Sequence, residues 1–329
     1  MKDTPSRPAS LSAVAAFVLT FATLALVRTI VDPPLLLADR FIPGAGWAEM
    51  ACLAAWAAFL VSRMMNPRVA SRWRSRLWLV FSVVFFAQLA LGLAGFERFL
   101  MTGELHVPVP AVILAGPLYR GEGLFMPILF GATLLLAGPA WCSYLCYLGA
   151  WDDATARATR RPRPLPSWRR PVQIGLLVCV VAAALVLRWA GVRPAPAWAL
   201  ALAFGVAGVL VMVAWSRRTG QMTHCITWCP MGLLATWLGR ISPFRLRIAD
   251  SCNDCGACTT FCRYHALSPG DITRRTPGIT CTLCGDCLRS CKERSITYHF
   301  PGLSHDTARR VFLVLVVSQH AVFLGLART

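Results

Sequence analysis

The chain has 329 residues, of which 56% are hydrophobic, and a mean hydropathy of +0.56. Its apolar residues gather in runs longer than soluble core helices need, which excludes an ordinary globular enzyme and indicates a membrane protein. The net charge of +18 does not indicate a nucleic-acid partner, because the basic residues are spread over loop ends that would lie against anionic lipid head groups.

In chain order, apolar runs of roughly 17 to 23 residues, each long enough to cross a bilayer, occupy 11–31, 47–64, 77–99, 123–141, 172–189, 195–215 and 311–327. Gln319 and His320 interrupt the last. Lys2 and Arg7 ahead of the first run resemble the start of a signal peptide, but the run is long and lacks a small-x-small cleavage site, so a retained anchor is expected. Arginines cluster at 63–76, 157–170 and 217–218, the loops that face the cytoplasm when the N-terminus does. The expected location is a bacterial inner membrane, with the polar segment after residue 241 on the cytoplasmic side.

The fourth run leads into "WCSYLCYLGAW", with Cys142 and Cys146, and the sixth into "HCITWCPMGLL", with Cys225 and Cys229. Each pair is followed three residues on by a glycine, Gly149 or Gly232, which marks an internal repeat. If the span continues as helix, thiols at i and i+4 share one face. Two such faces brought together would offer four sulfurs to one metal ion or iron–sulfur centre. The plain alternative, small apolar fillers at helix ends, would have to apply at four matched positions. Cys52 and Cys179 stand alone within spans and read as buried apolar side chains. Fourteen cysteines in a chain whose cysteine-bearing loops face a reducing compartment favour metal over disulfides.

From residue 241 Gly, Asp, Thr and Arg replace the apolar runs. "CNDCGACTTFC" supplies Cys252, Cys255, Cys258 and Cys262, and "CTLCGDCLRSC" repeats the spacing with Cys281, Cys284, Cys287 and Cys291. This doubled C-x2-C-x2-C-x3-C is the two-cluster ferredoxin pattern, in which the fourth cysteine of each run ligates the other cluster. Crossed ligation then assigns Cys252, Cys255, Cys258 and Cys291 to one [4Fe–4S] cluster, and Cys281, Cys284, Cys287 and Cys262 to the second. A single tetrahedral zinc suits neither run. The usual proline after the fourth cysteine is replaced by Arg263 and Lys292. Cations there would favour the reduced clusters and raise their potentials, unless both side chains simply point to water or to a partner.

The order of spans, paired thiols and ferredoxin motifs over residues 77–300 resembles the membrane polyferredoxins of the NapH and NosR type. In that family both pairs read Cys-x3-Cys-Pro; here Pro230 follows Cys229, but Tyr147 follows Cys146. The resemblance implies electron transfer between membrane quinol and at least one redox protein partner. The predicted fold is an α-helical multi-pass membrane protein of six or seven spans with an internal repeat and a small α+β two-cluster ferredoxin-like cytoplasmic segment. Its expected parts are a transmembrane electron-transfer region over 1–240, a ferredoxin domain over 241–300 and a terminal membrane helix over 301–329. A membrane copper reductase of the CcoG-like kind, which also combines paired thiols with ferredoxin motifs, is the alternative, and a redox sensor with no output domain is a weaker third.

Other candidate sites are sparser. The loop 102–122, with His106, Tyr119, Arg120 and Glu122, lies where a quinol site could accept protons, though an interfacial connector explains it as well. Gln88, Arg188, Gln319 and His320 are costly groups near or within lipid. Haem is not expected, since His320 is the sole histidine within a predicted span. "FGATL" at 130–134 weakly matches a flavin-attachment sequence but reads better as helix packing. No dinucleotide fingerprint follows a strand.

Overall fold

A computed structural model describes residues 7–31, 35–99 and 107–326. The chain forms two compact units, Met1–His106 with Gly302–Thr329, and Val107–Pro301. Among the described residues six helices are long and apolar enough to cross a membrane: Ala9–Ile30, Pro67–Leu93, Phe125–Leu145, Arg169–Trp189, Pro194–Thr219 and His305–Leu326. The expected seventh, over 47–64, does form a helix, Gly46–Met64, but falls outside this set. Glu49 and Arg63 at its two ends dilute an otherwise apolar run.

The first unit contains α1 (Arg7–Ile30), α2 (Gly46–Met64), α3 (Pro67–Leu93) and the terminal helix His305–Leu326. Helix α1 packs on both α2 and the terminal helix. Ala16, Ala54, Ala57 and Ala321 are completely buried, and small residues of this kind let helices approach closely where lipid supplies no hydrophobic drive. Helix α3 starts well before its apolar run because Asn66 caps it, accepting from the Arg68 N–H at 3.0 Å, and Pro67 takes the first turn. Arg309 closes the end of α2, donating to the carbonyls of Met64 at 2.6 Å and Met65 at 2.7 Å. Gln88 and His320 are buried in this unit, and the His320 ring lies 5.4 Å from that of Phe81.

In the second unit α4 (Val112–Arg120) and α5 (Phe125–Ala137) lead into a π-helical turn, Trp141–Leu145, and α6 (Tyr147–Ala156). The second half repeats the plan: α7 (Arg169–Trp189) and α8 (Pro194–Val211) precede another π turn, His224–Trp228, and α9 (Pro230–Leu238). The ferredoxin motifs follow, enclosed by an antiparallel pair of strands, β1 (Arg245–Ile248) and β2 (Ile296–His299), in register Arg245 to His299 and Ile248 to Ile296. Phe130, Thr133 and Leu134 of "FGATL" are buried within α5, and the Thr133 hydroxyl donates to the Phe130 carbonyl at 2.8 Å. Cys52 and Cys179 are exposed rather than buried. Cys179 lies on α7, which buries only Gln173 and Ala184, and an apolar thiol facing lipid needs no protein partner.

Candidate functional site

Sequence spacing alone puts the thiols of each Cys-x3-Cys pair on one α-helical face, and the structure corrects this. Each pair is built on a π turn closed by an i to i+5 hydrogen bond: the Cys146 N–H donates to the Trp141 carbonyl at 3.0 Å, and the Cys229 N–H to that of His224 at 2.8 Å. The second cysteine then leaves the helix. Cys146 has φ −78° and ψ 116°, and Cys229 has φ −76° and ψ 117°. Pro230 disfavours helical backbone at the residue before it, so extended Cys229 is expected. Tyr147 reproduces the conformation without that constraint, and the missing proline leaves the repeat intact.

The four thiols come together. Cys142, Cys146, Cys225 and Cys229, with His224 and Met231, line one small space. Gln173, the buried polar residue of α7, donates to the carbonyls of Cys225 at 3.0 Å and Cys229 at 2.8 Å. Asp152 of α6 is fully buried and accepts from the Cys225 N–H at 2.9 Å through Oδ2. Its other oxygen, Oδ1, has no hydrogen-bond partner. Gly232 is required sterically, since a Cβ there would sit 2.1 Å from the Cys225 carbonyl oxygen. Burial pushes the Cys146 thiol up to about 11 and that of Cys229 to about 12, so the pocket disfavours free thiolates and a bound cation would have to offset that cost. Among the described residues no three His, Cys, Asp or Glu are grouped as ligands of a single ion. Four soft sulfurs are a donor set that suits an iron–sulfur centre or another thiophilic metal.

The ferredoxin halves match each other in backbone as well as sequence. Asp254 and Leu283, with φ 54° and 57°, occupy the same place in the two motifs, as do His265 and Arg294, both at 52°. Positive φ is costly for such residues, and its recurrence at equivalent positions fits turns that must wrap a ligand. The Ala266 N–H donates to Cys262 Sγ at 3.2 Å, and the Ser295 N–H to Cys291 Sγ at 3.2 Å. Such donors favour the thiolate. Burial raises the Cys258 thiol to about 11, and its thiol neighbours are Cys252, Cys262 and Cys291. Cys281 is raised to about 12 by burial and lies near Cys262. Each motif thus has the other's fourth cysteine beside it.

The two residues in place of the usual prolines behave differently. Lys292 is exposed. Arg263 is buried, and its guanidinium donates to the carbonyls of Thr159 at 2.9 Å, Gly220 at 2.8 Å and Arg160 at 3.4 Å. It faces neither water nor a separate partner but fastens the ferredoxin segment to loops flanking the thiol-pair helices. Arg157 adds a second tie, pairing with Asp153 at 2.7 Å and Asp286 at 2.6 Å.

The remaining candidates do not form a site with these. His106 lies outside the described residues. The Tyr119 hydroxyl donates to the Val192 carbonyl at 2.6 Å, and Arg188 reaches the Leu118 carbonyl at 3.5 Å, both tying α4 to the end of α7 and the turn after it. Glu122 and Arg120 are exposed. Sequence reasoning missed Asp152 and Gln173, although a lone Gln inside an apolar span and a paired Asp after a cysteine motif were visible signals.

A 4Fe-4S binding domain family matches residues 121–166, the segment that carries Cys142 and Cys146. The chain is 30% identical over 207 residues to the methylamine utilization ferredoxin-type protein MauN of Paracoccus denitrificans, an alignment spanning 57% of this chain and 71% of MauN. It is 26% identical over 232 residues to the putative electron transport protein YccM of Escherichia coli, covering 62% of this chain and 60% of YccM. No solved structure matches.

Proposed function

Because the chain belongs to the family of membrane polyferredoxin-type electron-transport proteins that includes MauN, we propose that it is a membrane-bound subunit passing electrons between quinol and a redox protein partner. One observation carries the proposal. Four thiols from the two halves of a membrane repeat line a single space, and the same compact unit holds the eight ferredoxin cysteines. Iron–sulfur clusters bound at these sets would supply one-electron chemistry with little change in ligand geometry.

In this reading Cys252, Cys255, Cys258 and Cys291 hold one cluster, and Cys281, Cys284, Cys287 and Cys262 hold another. Cys258 has both Cys262 and Cys291 among its neighbours and Cys281 lies near Cys262, which is compatible with the crossed assignment. Cys142, Cys146, Cys225 and Cys229 hold a third centre. Asp152 and Gln173 fix the backbone around its second pair, and buried packing excludes water from it. The ferredoxin segment lies on the cytoplasmic side of an inner membrane, where the arginine-rich loops also fall.

The test is anaerobic purification of the full chain. About eight irons should be found in the ferredoxin segment, four per cubane, with further iron at the four-thiol site. Cys142→Ala, Cys146→Ala, Cys225→Ala and Cys229→Ala should each remove the same spectroscopic signal and block quinol-dependent reduction of the ferredoxin clusters while leaving those clusters assembled. Separable, additive defects at Cys142 and Cys225 would contradict a joint centre. Binding of copper without iron at the four thiols would favour the metal-reductase alternative.

A further inference from the structure

Resting on the reading that the four-thiol site and both ferredoxin sets hold clusters, we infer that the second ferredoxin set is the one in electronic contact with the four-thiol site. Ser143, Tyr144 and Tyr264 are the positioning residues of that junction. The first ferredoxin set is then the outer terminus of the chain of centres.

Three hydrogen bonds build the junction. Ser143, inside the first π turn and next to Cys142, donates from Oγ to the Thr282 carbonyl at 2.9 Å, between Cys281 and Cys284. Tyr144 donates from its hydroxyl to the Cys284 carbonyl at 3.3 Å. Tyr264, two residues after Cys262, donates to the Cys142 carbonyl at 2.7 Å. Every one of these bonds joins a thiol-pair residue to the backbone or sequence neighbour of a cysteine in the set Cys281, Cys284, Cys287 and Cys262. Cys142, Cys225, Tyr264, Thr280 and Thr282 also line one small shared space. Gly138 permits the approach, since a Cβ there would meet Leu283 Cδ1 at 3.3 Å.

Among the described residues no hydrogen bond joins Cys252 or Cys255 of the first set to a thiol-pair residue. Hydrogen bonds around Cys252 and Cys255 are local: the Cys255 N–H donates to Asn253 at 3.3 Å, and Arg275 binds the Cys252 carbonyl and the Asp254 carboxylate. Cys255 is exposed, whereas Cys287 is buried and lies near Cys284, Cys262, Cys281 and Cys258. Cys258 belongs to the first set, so the second set bridges inward to the four-thiol site and outward to the first. One electron moves at each step, one centre being oxidised as its neighbour is reduced, with no bond made or broken. The order holds for flow in either direction.

Paramagnetic coupling tests the order without turnover. The full chain, purified anaerobically in detergent and reduced with dithionite, should show a magnetic interaction between the four-thiol centre and one ferredoxin cluster. Cys284→Ser, which removes a second-set ligand, should abolish that interaction; Cys255→Ser, at an exposed first-set ligand, should preserve it. If Cys284→Ser fails to fold, Cys255→Ser decides alone, and loss of the interaction there overturns the order. Tyr144→Phe combined with Tyr264→Phe should keep the iron content and midpoint potentials while weakening the interaction. Loss of iron in that variant would mark a merely structural role and overturn the assignment of these residues. If Cys225→Ala leaves the iron content unchanged, the four thiols hold no cluster, and the inference falls together with the reading beneath it.

Discussion

Arg263→Ala is the sharpest perturbation of how the ferredoxin segment is attached. The wild-type guanidinium makes two well-formed bonds to carbonyls, at 2.9 Å to Thr159 and 2.8 Å to Gly220, and a longer one to Arg160 at 3.4 Å. Hydrogen bonds from a charged donor contribute about 1.5 to 3 kcal/mol each. Counting only the two short ones, and allowing the freed carbonyls partial access to water, the substitution should cost about 3 kcal/mol. The loss should be local, because the backbone bond from the Met222 N–H to the Arg263 carbonyl, 2.8 Å, does not depend on the side chain. Hydrogen exchange in detergent reads it directly. The Arg163 amide, which donates to the Thr219 carbonyl at 2.7 Å in the same loop pair, should exchange about a hundredfold faster if that loop pair opens with the lost energy. Unchanged protection at Arg163, with an unchanged melting midpoint, would show that Arg263 does not hold the segment in place.

The other predictions concern the sites themselves. Gly232→Ala should destroy the four-thiol centre while leaving the ferredoxin clusters assembled, because its Cβ would fall 2.1 Å from the Cys225 carbonyl oxygen; retained iron at that site, by elemental analysis, refutes the steric argument. Cys262→Ala should damage the cluster held mainly by the second motif, and Cys291→Ala that of the first, so spectroscopic loss confined to the local motif's own cluster would reject crossed ligation. Reporter fusions after Arg76, Arg170 and Pro301 should read cytoplasmic and one at Ala195 external; an external reading at Pro301 overturns the proposed orientation.

The doubled C-x2-C-x2-C-x3-C spacing marks two matching backbone halves, seen in the paired positive-φ residues, and the apolar runs were legible because a bilayer demands length. The region around the paired thiols was legible only in part. Period and spacing put Cys142 and Cys146 on a helix, but a π turn widens the ring by one residue, and nothing in the side-chain pattern of "WCSYLC" distinguishes the two. Arg263 was visible as a departure from the ferredoxin pattern, yet its partners are backbone carbonyls about a hundred and about forty residues away in sequence, at Thr159 and Gly220. Carbonyls carry no residue signature, so the sequence announced the anomaly without its use. The helix over Gly46–Met64 shows the opposite limit: its pattern predicted the helix correctly, while Glu49 and Arg63 kept it out of the crossing set.

The repeat is symmetric in backbone but not in surroundings. Both pairs share a π turn, an extended second cysteine and a following helix. The first pair is held from the ferredoxin side, through Ser143 to Thr282 and Tyr264 to Cys142. The second is held from the membrane-helix side, through Gln173 of α7 to both of its cysteine carbonyls. The amide clamp from Gln173 holds the carbonyls of Cys225 and Cys229 from the membrane-helix side. The four-thiol site is therefore tied at one edge to the cysteine-rich segment, through Ser143 and Tyr264, and at the other to α7, through Gln173.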